Sequence, residues 1–393
     1  MTWIVDVVAV IILLGALASG LRSGFAATLG ALLGLVAGAV AAVWALPWVS
    51  GAVDPPWRTA AVIGALCVLL VVGCAIGSSI GAVIRRGADR IHLRVLERLL
   101  GGVLGLVLGV AIVTFGGAGL VSAGIPGVSS TVASSQVLRQ LDRATPAPVD
   151  DAVAQLRSQV VGALPMPTIQ TPPAGLDSAE ASTSAPVDLD DADLARAAQS
   201  VARISGPTNG CGTISTGSGF VVAPDRIVTN AHVVAGVDHP LIDLPGESAK
   251  EGRVVHFDVE NDLAVIAADV DAEPLKLVDT LDDGASAVIQ GYPHGGPFRS
   301  TSAAVRASGT AEVHDAHGEG AVDRDVYVLD AQVEPGNSGG PLLDSDGGVA
   351  GVVFARGESD DGVAYAMTNA ELLPVIAQLD TETQAVSTGT CTA

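Results

Sequence analysis

Residues 334–342 read Glu-Pro-Gly-Asn-Ser-Gly-Gly-Pro-Leu and place Ser338 in a glycine-rich turn ahead of an apolar segment. Two earlier stretches complement it. Ile227-Val-Thr-Asn-Ala-His232 ends an apolar run with a histidine, and Glu260-Asn-Asp262-Leu-Ala-Val opens another run with an acid. A histidine, an acid and a serine in this order, separated by 30 and 76 residues, predict a catalytic triad. The fold must therefore bring three distant turns together.

The chemistry of such a site needs all three residue types. A serine hydroxyl is a weak nucleophile until a base takes its proton. Neutral histidine is such a base, and a carboxylate on its other ring nitrogen fixes its tautomer. Glycines beside the serine let backbone N–H groups converge on an oxyanion, at about 3–4 kcal/mol for each donor. Asp258 is a second candidate for the acid, four residues before Asp262.

The sequence around these motifs is typical of an all-β fold. From about Val201 onward, short β-branched runs alternate with Gly, Asp and Pro turns, a pattern that favours a barrel or sandwich. The clearest runs are Gly219–Val222, Arg226–Thr229, Leu263–Ala267, Ala287–Gln290, Val326–Val328 and Val349–Phe354. A helix is predicted only near Asn369–Leu379.

Residues 199–378 resemble the trypsin/chymotrypsin-fold serine proteases, in particular the bacterial HtrA-type branch. Further matches are Gly217-Ser-Gly219-Phe before the histidine strand, Asp330-Ala331 before the serine turn, and Gly291-Tyr-Pro-His-Gly295. The resemblance implies a chymotrypsin-like double β-barrel of two six-stranded barrels with the triad in the cleft between them.

The resemblance also assigns roles by position. His232 is the general base, Asp262 is the preferred orienting acid and Ser338 is the nucleophile, while the N–H groups of Gly336 and Ser338 form the oxyanion hole. The position at the base of the specificity pocket is Gln332, six residues before the serine. Because Gln332 is not an acid, a preference for cleavage after Lys or Arg does not follow.

The N-terminal part of the chain is predicted to cross a membrane. Mean hydropathy over the whole chain is +0.49, too apolar for an ordinary soluble protein. Four apolar runs, each followed by a polar or charged segment, are long enough to span a bilayer; they cover residues 3–20, 25–49, 59–84 and 99–121. Glycines such as Gly101 and Gly105 in the fourth run favour close helix packing.

Charge placement sets the orientation of these spans. Five arginines between spans three and four predict a cytoplasmic loop, so both ends of residues 1–121 and everything after them lie outside. Asp6 in the first span is either a functional intramembrane carboxylate or a group near the outer headgroups. The residues Asp6, Arg22-Ser-Gly24-Phe25 and Glu97–Gly105 resemble the colicin V production (CvpA) family of four-span proteins, which implies topology rather than chemistry.

A linker separates the two parts. Residues 122–194 are rich in Pro, Ser and Ala, and the stretch 164–188 is predicted to be extended and exposed. The protease-like domain then covers 195–393. Cys211 and Cys391 bracket that domain and predict a disulfide in an oxidising compartment, while Cys67 and Cys74 read as packing residues of a span.

Composition narrows the partners. The net charge is -22, split into +3 for residues 1–121 and -25 for the rest, so nucleic acid is excluded as a partner. His314 and His317 flank Asp315 but lack a third ligand, so no metal is expected, and no motif calls for a cofactor. The expected partners are proteins of the cell envelope and membrane lipid.

The whole pattern resembles the membrane-anchored periplasmic serine proteases of mycobacteria and other actinobacteria that are associated with acid resistance. It predicts a multi-pass membrane protein whose protease domain is extracytoplasmic and cleaves envelope or cell-wall proteins under acid or envelope stress. The alternatives are a membrane transport or secretion factor with a regulatory protease-like domain, and a catalytically silent binding module.

Overall fold

The computed structural model divides the chain into two compact units. One comprises Met1–Gly117 with Ser135–Leu141, and the other comprises Ala118–Ser134 with Asp142–Ala393. The residues that the structure describes are 2–52, 55–88, 94–122, 128–144, 166–169, 187–209, 213–318, 320–357, 362–379 and 383–391.

Long apolar helices make up most of the first unit. They are α1 (Thr2–Ser23), α2 (Phe25–Ala52), α3 (Pro55–Ala88) and α4 (Arg94–Ser122). Two short helices follow in the chain: α5 (Val128–Ala133), which falls in the second unit, and α6 (Gln136–Ala144), which begins in the first. Within the described residues, α1, α2 and α4 each contain a segment long and apolar enough to cross a membrane, and α3 contains a shorter one, Val68–Ile84. All four predicted runs are therefore helical, and the count of four spans stays a prediction.

Glycines let the backbones of these helices approach each other, as the sequence predicted. A Cβ added at Gly77 of α3 would lie 2.0 Å from the carbonyl oxygen of Gly30 in α2. Likewise, a Cβ at Gly20 of α1 would lie 2.1 Å from the carbonyl oxygen of Gly101 in α4. Any larger side chain at these points would push the helices apart.

Asp6 has a structural partner that the sequence did not suggest. Its carboxylate accepts hydrogen bonds from Ser135 Oγ at 2.6 Å and from the Val137 amide at 3.1 Å. Ser135 is fully buried and directly precedes α6. The carboxylate thus sits at the N-terminus of a helix, where negative charge is favoured.

One seven-stranded antiparallel sheet, the first sheet, carries the histidine and acid motifs. Its spatial order is β6-β5-β2-β3-β4-β8-β7. The strands are β2 (Val201–Pro207), β3 (Ile214–Ala223), β4 (Arg226–Thr229), β5 (Leu241–Asp243), β6 (Lys250–Glu251), β7 (Arg253–Asp258) and β8 (Leu263–Ala267).

The second sheet carries the serine motif. Its order is β1-β13-β12-β9-β10-β11-β14, and β13 also pairs with β14, so that six strands form a continuous ring. The strands are β1 (Thr168–Ile169), β9 (Ser286–Gly291), β10 (Arg299–His314), β11 (Ala321–Asp330), β12 (Pro341–Leu343), β13 (Val349–Gly357) and β14 (Val363–Thr368). All six predicted strands lie within strands of these two sheets.

Helices of this unit are short. They are Ala192–Ala197, Ala231–Val234 and Asn369–Ile376, with 3-10 turns at Ala198–Ser200 and Pro293–Gly295. The last α-helix matches the predicted one, whereas Ala231–Val234 was not predicted. Each sheet has its own apolar core, and a third cluster joins residues of both sheets, including Phe220, Leu263 and Phe354. The two sheets therefore share a packed interface.

Both ends of the protease-like region pack against distant strands. The amide of Val386 donates to Val254 O at 2.9 Å, and the amide of Gly236 donates to Thr388 O at 3.1 Å. The C-terminal tail thus lies on the first sheet. Cys391 in this tail is disulfide-bonded, and its sulfur lies 3.6 Å from Asn209 O. Cys211 lies outside the described residues, so its pairing with Cys391 stays a prediction.

The linker departs from the predicted exposed connector. Met166 is only 4% exposed, and the residues that follow it form β1 in the second sheet. The exposure prediction is wrong here because Met166 and Ile169 find apolar neighbours that only the folded sheet brings together. The rest of the predicted exposed stretch, apart from residues 187 and 188, lies outside the described residues.

Candidate active site

The histidine follows the end of a buried strand. Strand β4 stops at Thr229, and the short helix Ala231–Val234 then turns the chain so that His232 is 7% exposed. Thr229 Oγ1 donates to Ser218 O at 2.7 Å, and Asn230 Nδ2 donates to Asp262 O at 3.0 Å. These two side chains fix the strand end that delivers the imidazole.

His232 and Asp262 are in direct contact. The Nδ1 atom of His232 lies 2.8 Å from Oδ2 and 3.0 Å from Oδ1 of Asp262, and the His232 backbone amide donates to Oδ1 at 3.0 Å. The Asp262 side chain is almost fully buried. A carboxylate in this position makes Nδ1 the protonated nitrogen and leaves Nε2 as the base.

A tight turn holds Asp262 in a left-handed conformation, with φ at 52°. The Asp258 carboxylate accepts from the Asn261 amide at 3.1 Å and from Asn261 Nδ2 at 2.8 Å. Asp258 thus builds the turn, while Asp262 reaches the imidazole. Of the two candidate acids, Asp262 is therefore the one in contact with His232, and its role as the orienting acid stays a prediction.

A buried arginine that the sequence gave no reason to single out supports this turn. Arg324 of β11 is 1% exposed, and its Nε donates to Glu260 O at 3.1 Å, with Nη2 bonded to the same oxygen. Its guanidinium lies over the Phe354 ring, 5.8 Å from the centroid. Burial lowers the pKa of Arg324, and the nearby Asp262 carboxylate opposes that shift. Arg324 thereby joins the second sheet to the acid turn of the first.

The serine turn packs against the end of the histidine strand. Ser338 is 3% exposed, and its carbonyl accepts from the Ser218 amide at 2.8 Å. A Cβ on Gly339, whose φ is +81°, would lie 2.3 Å from Thr229 Oγ1 and 3.1 Å from the Asn230 amide nitrogen. Only glycine allows this approach, which brings Ser338 to the strand end that precedes His232.

The peptide before Gly336 has a defined orientation. The Pro335 carbonyl accepts from the His294 amide at 2.5 Å, and the Gly336 carbonyl accepts from Ser218 Oγ at 2.7 Å. Because C=O and N–H point in opposite directions across a trans peptide, the Gly336 N–H points away from His294. Gly336 has φ at +102°, and a Cβ there would lie 2.4 Å from Tyr292 O. The turn therefore requires glycine at this position.

Two atoms central to the predicted chemistry make no hydrogen bond to any residue that the structure describes. They are Nε2 of His232 and Oγ of Ser338, both buried. The hydrogen bond between nucleophile and base is thus not formed in this arrangement, as is common before substrate binds. A buried hydroxyl without a protein partner is costly, which is consistent with a site that keeps its reactive group available.

Ser218 and Tyr292 organise the loops around the serine, and neither was singled out from sequence. Ser218 Oγ accepts from the Tyr292 amide at 2.9 Å while donating to Gly336 O. The Tyr292 hydroxyl donates to Val201 O at 3.3 Å, and burial raises the pKa of this phenol. Both residues lie inside motifs that support the family resemblance, which was the one available signal.

The remaining candidates from the sequence are Gln332 and the two histidines that flank Asp315. Gln332 is exposed, and its role in specificity stays a prediction. His314 is exposed, and the Asp315 carboxylate accepts from the backbone amides of His317 and Gly320, as in an ordinary turn. Among the described residues, no three His, Cys, Asp or Glu side chains gather as a metal ion would require.

Comparison with known proteins defines the class. Residues 217–352 match the family described as trypsin-like peptidase domain, and residues 5–146 match the family described as colicin V production protein. With the contact between His232 and Asp262 and the buried Ser338, the match makes this chain a trypsin-like serine protease with an N-terminal colicin V production domain.

Its relatives place it further. Serine protease Rv3671c of Mycobacterium tuberculosis is 32% identical over 269 residues, which cover 68% of this chain and 67% of the relative. The chain therefore belongs to the same family as that protease. The crystal structure of the Rv3671c protease in its active form matches with a TM-score of 0.52 at 33% identity, over 58% of this chain and 100% of that one. The putative serine protease HhoB of Synechocystis is 37% identical over 162 residues, 39% of this chain and 37% of the relative.

Proposed function

We propose that this protein is a membrane-anchored, extracytoplasmic serine endopeptidase that cleaves proteins of the cell envelope through His232, Asp262 and Ser338. The observation that carries the proposal is the buried contact between His232 Nδ1 and Asp262, next to a serine turn whose hydroxyl has no protein partner among the described residues. An ordinary structural serine is satisfied by its neighbours.

The reaction follows from these positions. His232 Nε2 takes the Ser338 proton as Oγ attacks the scissile carbonyl, and Asp262 stabilises the imidazolium that forms. The N–H groups of Gly336 and Ser338 donate to the oxyanion. His232 then protonates the leaving amine, and a water molecule attacks the acyl-enzyme by the same route. His232 thus acts as the base both when the acyl-enzyme forms and when water hydrolyses it.

The two sheets support a double β-barrel with this site between them, and the four helices α1–α4 support four membrane spans. The arginines between spans three and four support a cytoplasmic position for that segment, and hence a protease on the outer side of the membrane. The charge of -25 beyond residue 121 is compatible with a solvent-exposed envelope domain and repels nucleic acid. Envelope proteins are then the accessible substrates, membrane lipid is the anchor, and acid or envelope stress is the setting.

The test uses the full chain in its native membrane. A fluorophosphonate probe, which reacts with activated serines, should label the wild type and leave Ser338→Ala unlabelled. Labelling of both variants at another residue, or of neither, would contradict the proposed mechanism. A stress phenotype lost in Ser338→Ala supports the endopeptidase, whereas a phenotype retained in that variant supports the secretion factor. Protease accessibility of the C-terminal part in spheroplasts tests the orientation.

A further inference from the structure

A segment of the linker is bound to the protease. Residues Thr168 and Ile169 form a short parallel pair with Arg356 and Gly357 at the end of β13. The Arg356 amide donates to Pro167 O at 3.1 Å. Every other strand pair in both sheets is antiparallel. We call residues 166–169 the strap.

The strand that holds the strap passes beside the residues that follow the nucleophile. The Gly339 amide donates to Val353 O at 2.8 Å, and the Val353 amide donates to Gly340 O at 2.9 Å. Strand β13 therefore passes the residues directly after Ser338 and then runs outward to Arg356. On that outer part, β12 no longer pairs with β13, since its last partner is Val352. The edge of β13 beyond Val353 is therefore not covered by β12, and Arg356 lies three residues along it from the position that bonds to Gly339 and Gly340.

Such an edge is where an extended peptide binds a folded protein. Backbone N–H and C=O groups of an open edge give sequence-independent affinity, and a side-chain recess gives specificity. A protease that binds its substrate as an extended segment uses both the backbone hydrogen bonds and the side-chain recess. In this structure, however, the strap already takes the Arg356 amide.

The recess is also filled, by Met166. Continuing the parallel register two residues back places Met166 beside Phe354. Its side chain is buried and belongs to the apolar cluster that contains Val333, Val353 and Ala364. Val333 lies five residues before Ser338, next to the exposed Gln332. An apolar side chain of the strap thus lies in the same cluster as Val333, which precedes the serine turn, and Val353 of β13.

We propose that the strap occupies the substrate-binding edge and specificity recess of the protease, with Met166 standing in for the substrate side chain, so that the linker competes with substrates for the cleft. This inference rests on the proposed function. It identifies Val333, Val353 and Ala364 as lining residues of the recess. It also specifies the side chain that the recess accepts, which is apolar and about the size of methionine.

The strap is a competitor by virtue of its attachment. Because it belongs to the same chain, its effective concentration is set by the linker and not by dilution, in the millimolar range for short flexible tethers. A substrate must displace it to bind. The strap therefore raises the apparent KM for a small substrate and leaves kcat unchanged.

The experiment measures KM and kcat of the full chain in detergent micelles with a quenched fluorescent peptide that contains methionine. Met166→Asp places a charge where an apolar side chain is buried, and should lower KM by about ten- to hundredfold with kcat retained. Met166→Leu, of similar volume, should behave as the wild type. The matched control is Thr168→Ala, because Thr168 is exposed and its change leaves the backbone pairing intact; it should also leave KM unchanged.

A second measurement covers the case in which Met166→Asp fails to fold. A synthetic peptide of residues 164–170 should inhibit wild-type cleavage competitively, and the same peptide with Asp for Met166 should not. Fluorophosphonate labelling of Ser338 is followed in parallel. Equal KM values for the wild type and a folded Met166→Asp, or no inhibition by the peptide, in enzyme that labels at Ser338, would overturn the strap proposal alone. Absence of labelling in every variant counts instead against the proposed function.

Discussion

The first sheet supplies His232 and Asp262, whereas the second supplies Ser338, Gly336 and the strap-bearing edge of β13. In the first sheet the two side chains are locked together by three contacts of 2.8–3.0 Å. In the second, the reactive hydroxyl has no partner among the described residues, and the turn is shaped by backbone geometry instead. In the proposed mechanism, proton transfer thus depends on side-chain hydrogen bonds, while attack and oxyanion binding depend on glycine conformation and close packing.

The largest expected effect comes from removing either Ser338 or His232, the nucleophile and the base that the two sheets contribute. Ser338→Ala and His232→Ala should each lower kcat by about 10⁶-fold, and the double variant should lose no more than either alone, because residues that act as a unit are not additive. Cleavage of a peptide substrate measures this. His239→Ala, at an exposed histidine in the loop before β5, serves as the control. Losses that multiply in the double variant would mean that the two sheets act separately.

A second change tests the hydrogen bonds between His232 and Asp262 alone. Asp262→Asn should lower kcat by about 10⁴-fold at neutral pH, because an amide no longer selects the imidazole tautomer with its proton on Nδ1. Asp258→Asn, four residues away, should have a far smaller effect, since the Asp258 carboxylate bonds to Asn261 of its own turn and not to the imidazole. Both are measured as kcat with one substrate. Equal losses would show that the turn, rather than the carboxylate on His232, matters.

Gly336→Ala tests the backbone geometry of the serine turn. The added Cβ would meet Tyr292 O at 2.4 Å in a conformation with positive φ, so the Gly336 N–H should move, at a cost of about 10²–10³-fold in kcat for one lost oxyanion donor. Gly284→Ala is the matched control, since Gly284 also has positive φ but nothing within 4 Å of its Cβ. If both variants lose activity equally, strain and not oxyanion geometry explains the result.

The smallest effect concerns the tail on the first sheet. Thr388 is buried and its hydroxyl donates to Val237 O at 3.3 Å. Thr388→Val keeps the shape, removes this bond and leaves the acceptor unpaired, so the free energy of unfolding should fall by about 1 kcal/mol. Urea unfolding of the full chain measures it, with the exposed Ser387 as a control substitution to Ala. An unchanged midpoint would show that the tail adds nothing to the first sheet.

Sequence was sufficient for what short motifs encode. The strand ends, the glycine-rich turn and the choice of Asp262 over Asp258 each depend on residues close together in the chain. The roles of Arg324, Ser218 and Met166 depend on partners 64, 118 and more than 160 residues away, such as Glu260 for Arg324 and Gly336 for Ser218. No local pattern marks such contacts, and Met166 lay in a proline-rich stretch whose composition predicted exposure.

Asp6 shows the same limit in the membrane unit. As a lone carboxylate in an apolar run it raised two alternatives, an intramembrane functional group or a headgroup neighbour. Its bonds to Ser135 and Val137 reveal a third use, which required knowing that a polar turn more than a hundred residues later returns to α1. The charge was correctly noted from sequence, but its partner was not predictable.

The placement of the strap and the tail bears on how the protein is made. The second sheet incorporates residues 168–169, which are synthesised before any strand of the first sheet. The first sheet in turn receives residues 386–391, which are synthesised after every strand of the second. A chain synthesised from its N-terminus therefore cannot complete the first sheet before the second sheet has been made. Chain growth itself thus delays assembly of the protease domain until nearly all of its residues have been synthesised.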